Sequence, residues 1–142
     1  MTKVLFVCTG NTCRSPMAEA ILKSMNLPDV EVKSAGLFAA SGSPGSPLAQ
    51  DVLDENNIEH NHRAVLFSSE EAEWADLILT MTANHKQFIH QQYPEAKSKT
   101  YTLKEFVGTE GDVSDPFGGT IDTYRETFME LRELIAKLRE KL

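Results

Sequence analysis

The sequence predicts an α/β fold in which a parallel sheet carries helices on both faces. Three observations point there. Val4 to Val7 is an unbroken apolar run, the mark of a strand buried on both sides. Strand-like segments then alternate with helical ones, the pattern of βαβ units. The chain closes on Ile121, Tyr124, Phe128, Leu131, Ile135, Leu138 and Leu142, at steps of three and four, an amphipathic helix suited to packing on a sheet.

Each element has its local reason. After the first strand the loop Cys8-Thr9-Gly10-Asn11-Thr12-Cys13-Arg14 leads into a helix, with Ser15 expected at the N-cap, Pro16 at the first helical position and Glu19 in the first turn. Val30 to Ala35 alternates and reads as a second strand. Residues 36–47 are rich in Gly, Ser and Pro and read as a functional loop, with a plain flexible connection as the competing account. Leu48 to Asn57 is a second helix and Glu70 to Trp74 a helical turn. A third buried strand follows over Ala75–Met81, a helix over Thr82–Tyr93, and a short fourth strand over Thr100–Leu103. No internal repeat or linker interrupts this order, so residues 1–142 are expected to form one domain.

Composition narrows the function. The chain has 142 residues, 41% hydrophobic and 25% charged, which suits a globular domain and excludes a disordered or fibrous one. Fourteen Lys and Arg against 21 Asp and Glu give a formal net charge of −7, so nonspecific nucleic-acid binding is not expected. No apolar run approaches the length of a membrane span, and Met1-Thr2-Lys3 leads into the first strand without room for a signal peptide. A cytoplasmic protein with no membrane partner is expected. Cys8 and Cys13 are the two cysteines; a disulfide scaffold would carry more, and the set of a structural zinc site is missing.

Chemistry concentrates in the first loop. Cys8, five residues, Arg14 and Ser15 lie between a strand end and a helix start, where backbone N–H groups and the helix dipole make an anion nest. A cysteine placed there is expected to ionise readily and to act as a nucleophile. Arg14 offers a planar fork for two phosphoryl oxygens. Gly10 is expected to allow close backbone approach, Asn11 to accept a left-handed conformation, and Ser15 to donate its hydroxyl to Cys8 when that sulfur leaves. The Gly-x4-Gly-Lys-Ser/Thr pattern of nucleotide-binding loops is absent. A thiolate attacking phosphorus also needs an acid for the leaving group, and Asp115, before Pro116 in a glycine-rich stretch, is the best candidate, ahead of Asp112 and Asp122.

With these residues in place, the chain resembles the low-molecular-weight protein tyrosine phosphatases over essentially its whole length. Val7 to Pro16 matches that family's phosphate loop, Ser34-Ala35-Gly36 the end of its second strand, and Asp115-Pro116 its acid loop. The resemblance implies a four-stranded parallel sheet. It also implies Cys8 as nucleophile, Arg14 as clamp and transition-state stabiliser, Asp115 as acid then base, and Thr9, Gly10, Asn11, Thr12, Cys13 and Ser15 around the phosphate. Asn11 and Ser15 would order the loop. It implies phosphorylated proteins as partners, inorganic phosphate as product, and neither metal nor organic cofactor.

Two features resemble the bacterial protein-arginine phosphatase branch. Thr12 stands where a bulky aliphatic residue is usual, and Phe117-Gly118-Gly119 replaces the tyrosines of the acid loop. A hydroxyl suits a guanidinium rich in N–H donors better than an apolar wall does. Two rival classes fit less well. An arsenate reductase would pass oxidation to later cysteines, and none follows Cys13. A noncatalytic phosphoresidue-binding module would not need Cys8 together with Asp115. Cys8 and Cys13 bracket a curled loop and are expected to form a reversible disulfide on oxidation. His60, His62, His85 and His90 read as solvated and the run Glu70–Glu73 as a solvated helix start. Trp74 reads as packing on the sheet edge, and Phe38 as either a slot wall or a core contact.

Overall fold

Val4 to Val7 are wholly buried, and the strand that contains them lies inside the sheet, flanked on both sides. A computed structural model describes residues 1–142. In chain order the elements are β1 (Thr2–Cys8), α1 (Arg14–Ser24), β2 (Val30–Gly36), α2 (Pro47–Glu55), α3 (Ser69–Trp74), β3 (Leu77–Thr80) and α4 (Ala83–Gln92). A 3-10 turn (Pro94–Lys99), β4 (Thr100–Thr102), α5 (Leu103–Phe106) and α6 (Ile121–Lys141) complete it. The four strands run parallel in the order β2-β1-β3-β4, with Cys8 opposite Gly36 and Val7 opposite both Ala35 and Thr80.

The period-two geometry of β1 divides the interior into two cores. Val4, Phe6 and Cys8 face α1, α2 and α6, whereas Leu5 and Val7 join Phe67, Ala72, Ile78 and Ile89 beneath α3 and α4. The helix α6 buries Tyr124, Thr127, Phe128, Leu131, Leu134, Ile135 and Leu138 along one stripe. From β1 the chain winds first to β2 on one side and later to β3 on the other. In such sheets the carboxyl end of the strand at this reversal is where ligands bind.

Several sequence expectations are corrected. The helix α1 starts at Arg14, Cys13 occupies its N-cap without a side-chain cap bond, and Ser15 is inside the first turn. Its hydroxyl is turned instead towards Cys8 and Asn11. Pro16 is therefore the third helical residue, where its missing N–H still costs nothing, and the first turn carries no acid. Leu142 lies beyond the stripe of α6 and is exposed. The fourth strand stops at Thr102, because Thr102 and Glu105 form a capping box that starts α5. Residues 36–47 are tied to the rest of the domain by hydrogen bonds at several points. Leu37 and Phe38 donate backbone N–H groups to the carbonyls of Cys8 and Thr9, Gly42 donates to Ala64, and Ser46 caps α2.

Candidate active site

Cys8 ends β1 as a buried side chain, and the five residues after it curl over the carboxyl end of the sheet. The curl is forced by two small features. Asn11 has φ of 56°, the left-handed region that asparagine enters more easily than most residues. Gly36 lies directly behind the loop: a Cβ there would stand 2.6 Å from the Thr9 carbonyl oxygen and 2.8 Å from the Asn11 nitrogen. Within the protein the tight approach is at Gly36, whereas a Cβ on Gly10 would meet nothing nearer than Thr12 Oγ1 at 3.6 Å. The backbone N–H groups of Gly10, Asn11, Thr12 and Cys13 donate to no acceptor of the protein, as an anion nest requires.

A buried polar network holds this shape. Asn11 Nδ2 donates to Ser15 Oγ at 2.8 Å and to Ser34 Oγ at 2.9 Å, and Asn11 Oδ1 accepts from the Val65 N–H at 2.9 Å. Ser34 passes its proton on to Glu19 at 2.5 Å, and His62 Nε2 donates to the Asn11 carbonyl at 2.5 Å. His62 Nδ1 lies 3.7 Å from Glu19, which also pairs with Lys23 at 2.5 Å. Burial works to raise the Glu19 pKa, yet His62, Lys23 and Ser34 outweigh it and hold the carboxyl at about 2. Ser15 Oγ accepts from Asn11 and lies 2.8 Å from Cys8 Sγ, where its own hydrogen can be donated to a thiolate. A donor on that sulfur stabilises negative charge there, both when it attacks and when it is expelled.

Arg14 and Asp115 reach the same place from opposite ends of the chain. Arg14 is buried, with Nη1 donating to the Val113 carbonyl at 3.1 Å and Nη2 facing Asp115 Oδ2 at 3.6 Å. Val113 is in turn fixed by its N–H to the Met81 carbonyl at the end of β3. Asp115 is 56% exposed, and its Oδ1 accepts from the Phe117 N–H in a tight turn that Gly118 closes with φ of 80°. Of the other acids considered, Asp112 is occupied by the Ala83 N–H at the start of α4, and Asp122 pairs with Arg125 away from the loop.

These side chains bound one cavity of about 270 Å³. Cys8, Thr9, Gly10, Thr12, Cys13 and Arg14 line it, and Asp115 and Phe117 rim it from the acid loop. Asn11 and Ser15 lie beneath the floor as braces. Thr12 Oγ1 has only a 3.8 Å contact to Cys13 Sγ. Cys13 is buried against the Tyr124 hydroxyl at 3.5 Å, and burial followed by the Cys13 neighbour pushes the Tyr124 pKa up. Phe38 is exposed, not core, and walls a groove that shares Thr9, Arg14 and Asp115 with the cavity. It packs edge-on to Phe88 with ring centres 5.4 Å apart, in that groove.

The histidine expectation fails at the site. His85 is only 8% exposed and its Nε2 lies 2.9 Å from Thr9 Oγ1; burial, then Arg14, lowers its pKa to about 4. His62 is a half-buried brace, and His60 pairs with Asp54 at 2.8 Å. Trp74 packs as expected at the sheet edge, under the ammonium groups of Lys33 and Lys3.

Comparison with known proteins agrees with this geometry. A family model described as low molecular weight phosphotyrosine protein phosphatase matches residues 3–142. A protein-arginine-phosphatase of Geobacillus stearothermophilus is 56% identical over 99% of this chain and 95% of its own. The solved structure of an arginine phosphatase from that organism superposes with a TM-score of 0.98 at 55% identity, covering 99% of this chain and 92% of that one. A low molecular weight protein-tyrosine-phosphatase of Staphylococcus haemolyticus is 50% identical over 96% of this chain and 97% of its own. A further arginine phosphatase structure, 47% identical with a TM-score of 0.96, covers 99% of this chain and 95% of that one. It carries serine in place of its active-site cysteine, and that serine is phosphorylated.

Proposed function

The chain belongs to the low-molecular-weight phosphotyrosine protein phosphatase family and is a cysteine-based protein phosphatase, and from that premise we propose that it hydrolyses phosphoarginine in proteins. The observation that carries the reading is the convergence of Cys8, Arg14 and Asp115 on one cavity above a loop of unpaired N–H groups. Residues 1–142 act as one phosphatase domain.

The reaction runs in two displacements. Cys8 Sγ attacks phosphorus in line while the bond from phosphorus to the guanidine nitrogen breaks, and Asp115 gives that nitrogen a proton. Arg14 and the loop N–H groups hold the equatorial oxygens as their charge is redistributed. Asp115, now a carboxylate, takes a proton from water as the water oxygen attacks phosphorus. The sulfur leaves onto the Ser15 hydroxyl, and inorganic phosphate is released. A phosphorylated active-site serine in the cysteine-to-serine relative supports a covalent intermediate at Cys8.

Two features support arginine over tyrosine. Thr12 brings to the cavity a hydroxyl with no strong partner, free to accept from a guanidinium. The Phe117-Gly118-Gly119 turn leaves a single ring at the rim. The substrates are phosphorylated proteins, and we place the activity in the cytoplasm. No helix is long and apolar enough to cross a membrane, and the charge of −7 speaks against a nucleic-acid partner. Tyrosine phosphatase activity is the second reading, supported by the Staphylococcus haemolyticus relative.

The deciding experiment compares kcat/KM for phosphoarginine and phosphotyrosine peptides on one preparation, with Cys8→Ser alongside. Preference for phosphoarginine, and a phosphate trapped on residue 8 of the variant, are expected. Preference for phosphotyrosine selects the second reading, whereas binding without turnover by the parent would make the protein a noncatalytic reader.

A further inference from the structure

His85 is a buried group that the reaction above does not use. It sits in the first turn of α4, with Nε2 2.9 Å from Thr9 Oγ1 and Nδ1 buried without any partner. Arg14, Asp112 and Asp115 are the charged groups around it. Burial and then Arg14 hold the ring neutral against the two carboxylates, with a pKa of about 4. A neutral imidazole carries one N–H. On Nδ1 that hydrogen would be a buried donor with no acceptor, which proteins tolerate less readily than an underused acceptor. The hydrogen therefore sits on Nε2 and is donated to Thr9 Oγ1. Having accepted it, the Thr9 hydroxyl keeps its own hydrogen for another acceptor. Thr9 is exposed on the wall of the same cavity as Cys8 and Arg14, where phosphoryl oxygens are held in the proposed reaction.

We propose that His85 is a positioning residue which makes the Thr9 hydroxyl a donor to the substrate's phosphoryl oxygens, an inference that rests on the phosphatase reading. Unheld, a threonine hydroxyl accepts as readily as it donates. Held by His85, it is matched to the acceptor-rich phosphoryl group and mismatched to guanidinium N–H groups. Thr12, whose hydroxyl has no such partner, is left to receive the leaving group. The two threonines of one loop thus take opposite hydrogen-bonding roles, and a helix 76 residues away in sequence sets the difference.

The test measures calorimetric affinity for inorganic phosphate, with kcat and KM on a phosphoarginine peptide, for the parent, Thr9→Val, His85→Phe, His85→Gln and the Thr9→Val/His85→Phe double variant. Loss of one hydrogen bond to an anion should weaken phosphate binding roughly tenfold in Thr9→Val. His85→Phe should lose about as much, and the double variant no more than either single one, because both remove the same bond. His85→Gln, whose amide nitrogen falls near the Nε2 position, should recover most of the affinity. Thr9→Val binding phosphate as tightly as the parent, losses that multiply in the double variant, or failure of Gln to rescue would each overturn the proposal. If His85→Phe melts far below the parent, Thr9→Val and His85→Gln decide together: weakened phosphate binding in the first with near-parent binding in the second is expected, and any other pair of results overturns the proposal. A parent that neither binds phosphate nor turns over substrate overturns the phosphatase reading itself, a separate outcome.

Discussion

Asp115 Oδ2 stands 3.6 Å from Arg14 Nη2, so the proposed proton donor and the proposed phosphate clamp are neighbours. The pairing is loose on one side only. Arg14 is buried and tethered to the Val113 carbonyl, whereas the Asp115 carboxylate is more than half exposed and turns on a glycine-rich hinge. A phosphoryl group can thus take the guanidinium while Asp115 moves towards the leaving group.

Asp115→Asn is expected to lower kcat roughly 10²–10⁴-fold on a phosphopeptide, the usual worth of general acid catalysis. An activated aryl phosphate, whose leaving group scarcely needs the proton, should lose far less. Equal losses on both substrates would assign the acid role elsewhere.

Arg14→Lys keeps the charge but cannot both hold the Val113 carbonyl and fork onto two oxygens. We expect kcat to fall about 10²-fold or more, as when a transition-state donor is removed. Steady-state kinetics showing near-normal kcat would place the clamp on another group.

Thr12→Ile should lower kcat/KM for phosphoarginine and raise it for phosphotyrosine, replacing a free hydroxyl with apolar wall. The informative quantity is the ratio of the two values. An unchanged ratio makes Thr12 a bystander and selects tyrosine specificity.

Glu19 gives the fold an acid-sensitive brace. Its folded value near 2 lies below the ordinary 4.5, so the stabilisation is fully present above pH 4.5 and is lost as pH falls towards 2. Glu19→Gln should melt below the parent near pH 7, by at most about 3 kcal/mol of stability, and the gap should close in acid. Melting curves that differ equally at pH 7 and pH 2.5 would disprove the ionic origin.

Peroxide should inactivate the enzyme through the two free cysteines. Cys8 sulfur attacks one peroxide oxygen to give a sulfenic acid and water; Cys13 sulfur then displaces that oxygen as a second water, leaving a disulfide. A dithiol should restore activity in the parent. Cys13→Ala should turn over substrate yet fail to recover, and full recovery would reduce Cys13 to its packing against Tyr124.

Contiguous features were legible in the sequence, and features made by folding were not. The apolar run of β1, the spacing from Cys8 to Arg14 and the stripe of α6 are each written within a single segment, and the structure keeps all three. The start of α1 is hidden in the sequence because Ser15 looks like a cap there, whereas its hydroxyl is drawn inward by Cys8 and Asn11. His85 and His62 looked solvated because their own segments are polar. Their burial comes from contacts 76 and 51 residues away, with Thr9 and with Asn11. Ser34 and Gly36 stood out only as small residues at a strand end; the reason for their size is the phosphate loop packed against them.

β2 lies at the edge of the sheet, yet its carboxyl end, which carries both Ser34 and Gly36, is held on two sides: by β1, and by Val65 and Phe67, which bond the Gly36 N–H and carbonyl. Edge strands open by local fraying at less cost than the whole domain takes to unfold. Here fraying has to break the bonds to β1 and those to Val65 and Phe67 together, and Asn11 then loses Ser34 and the loop its backing in a single event. Thermal inactivation is therefore expected to follow the release of this doubly held strand end.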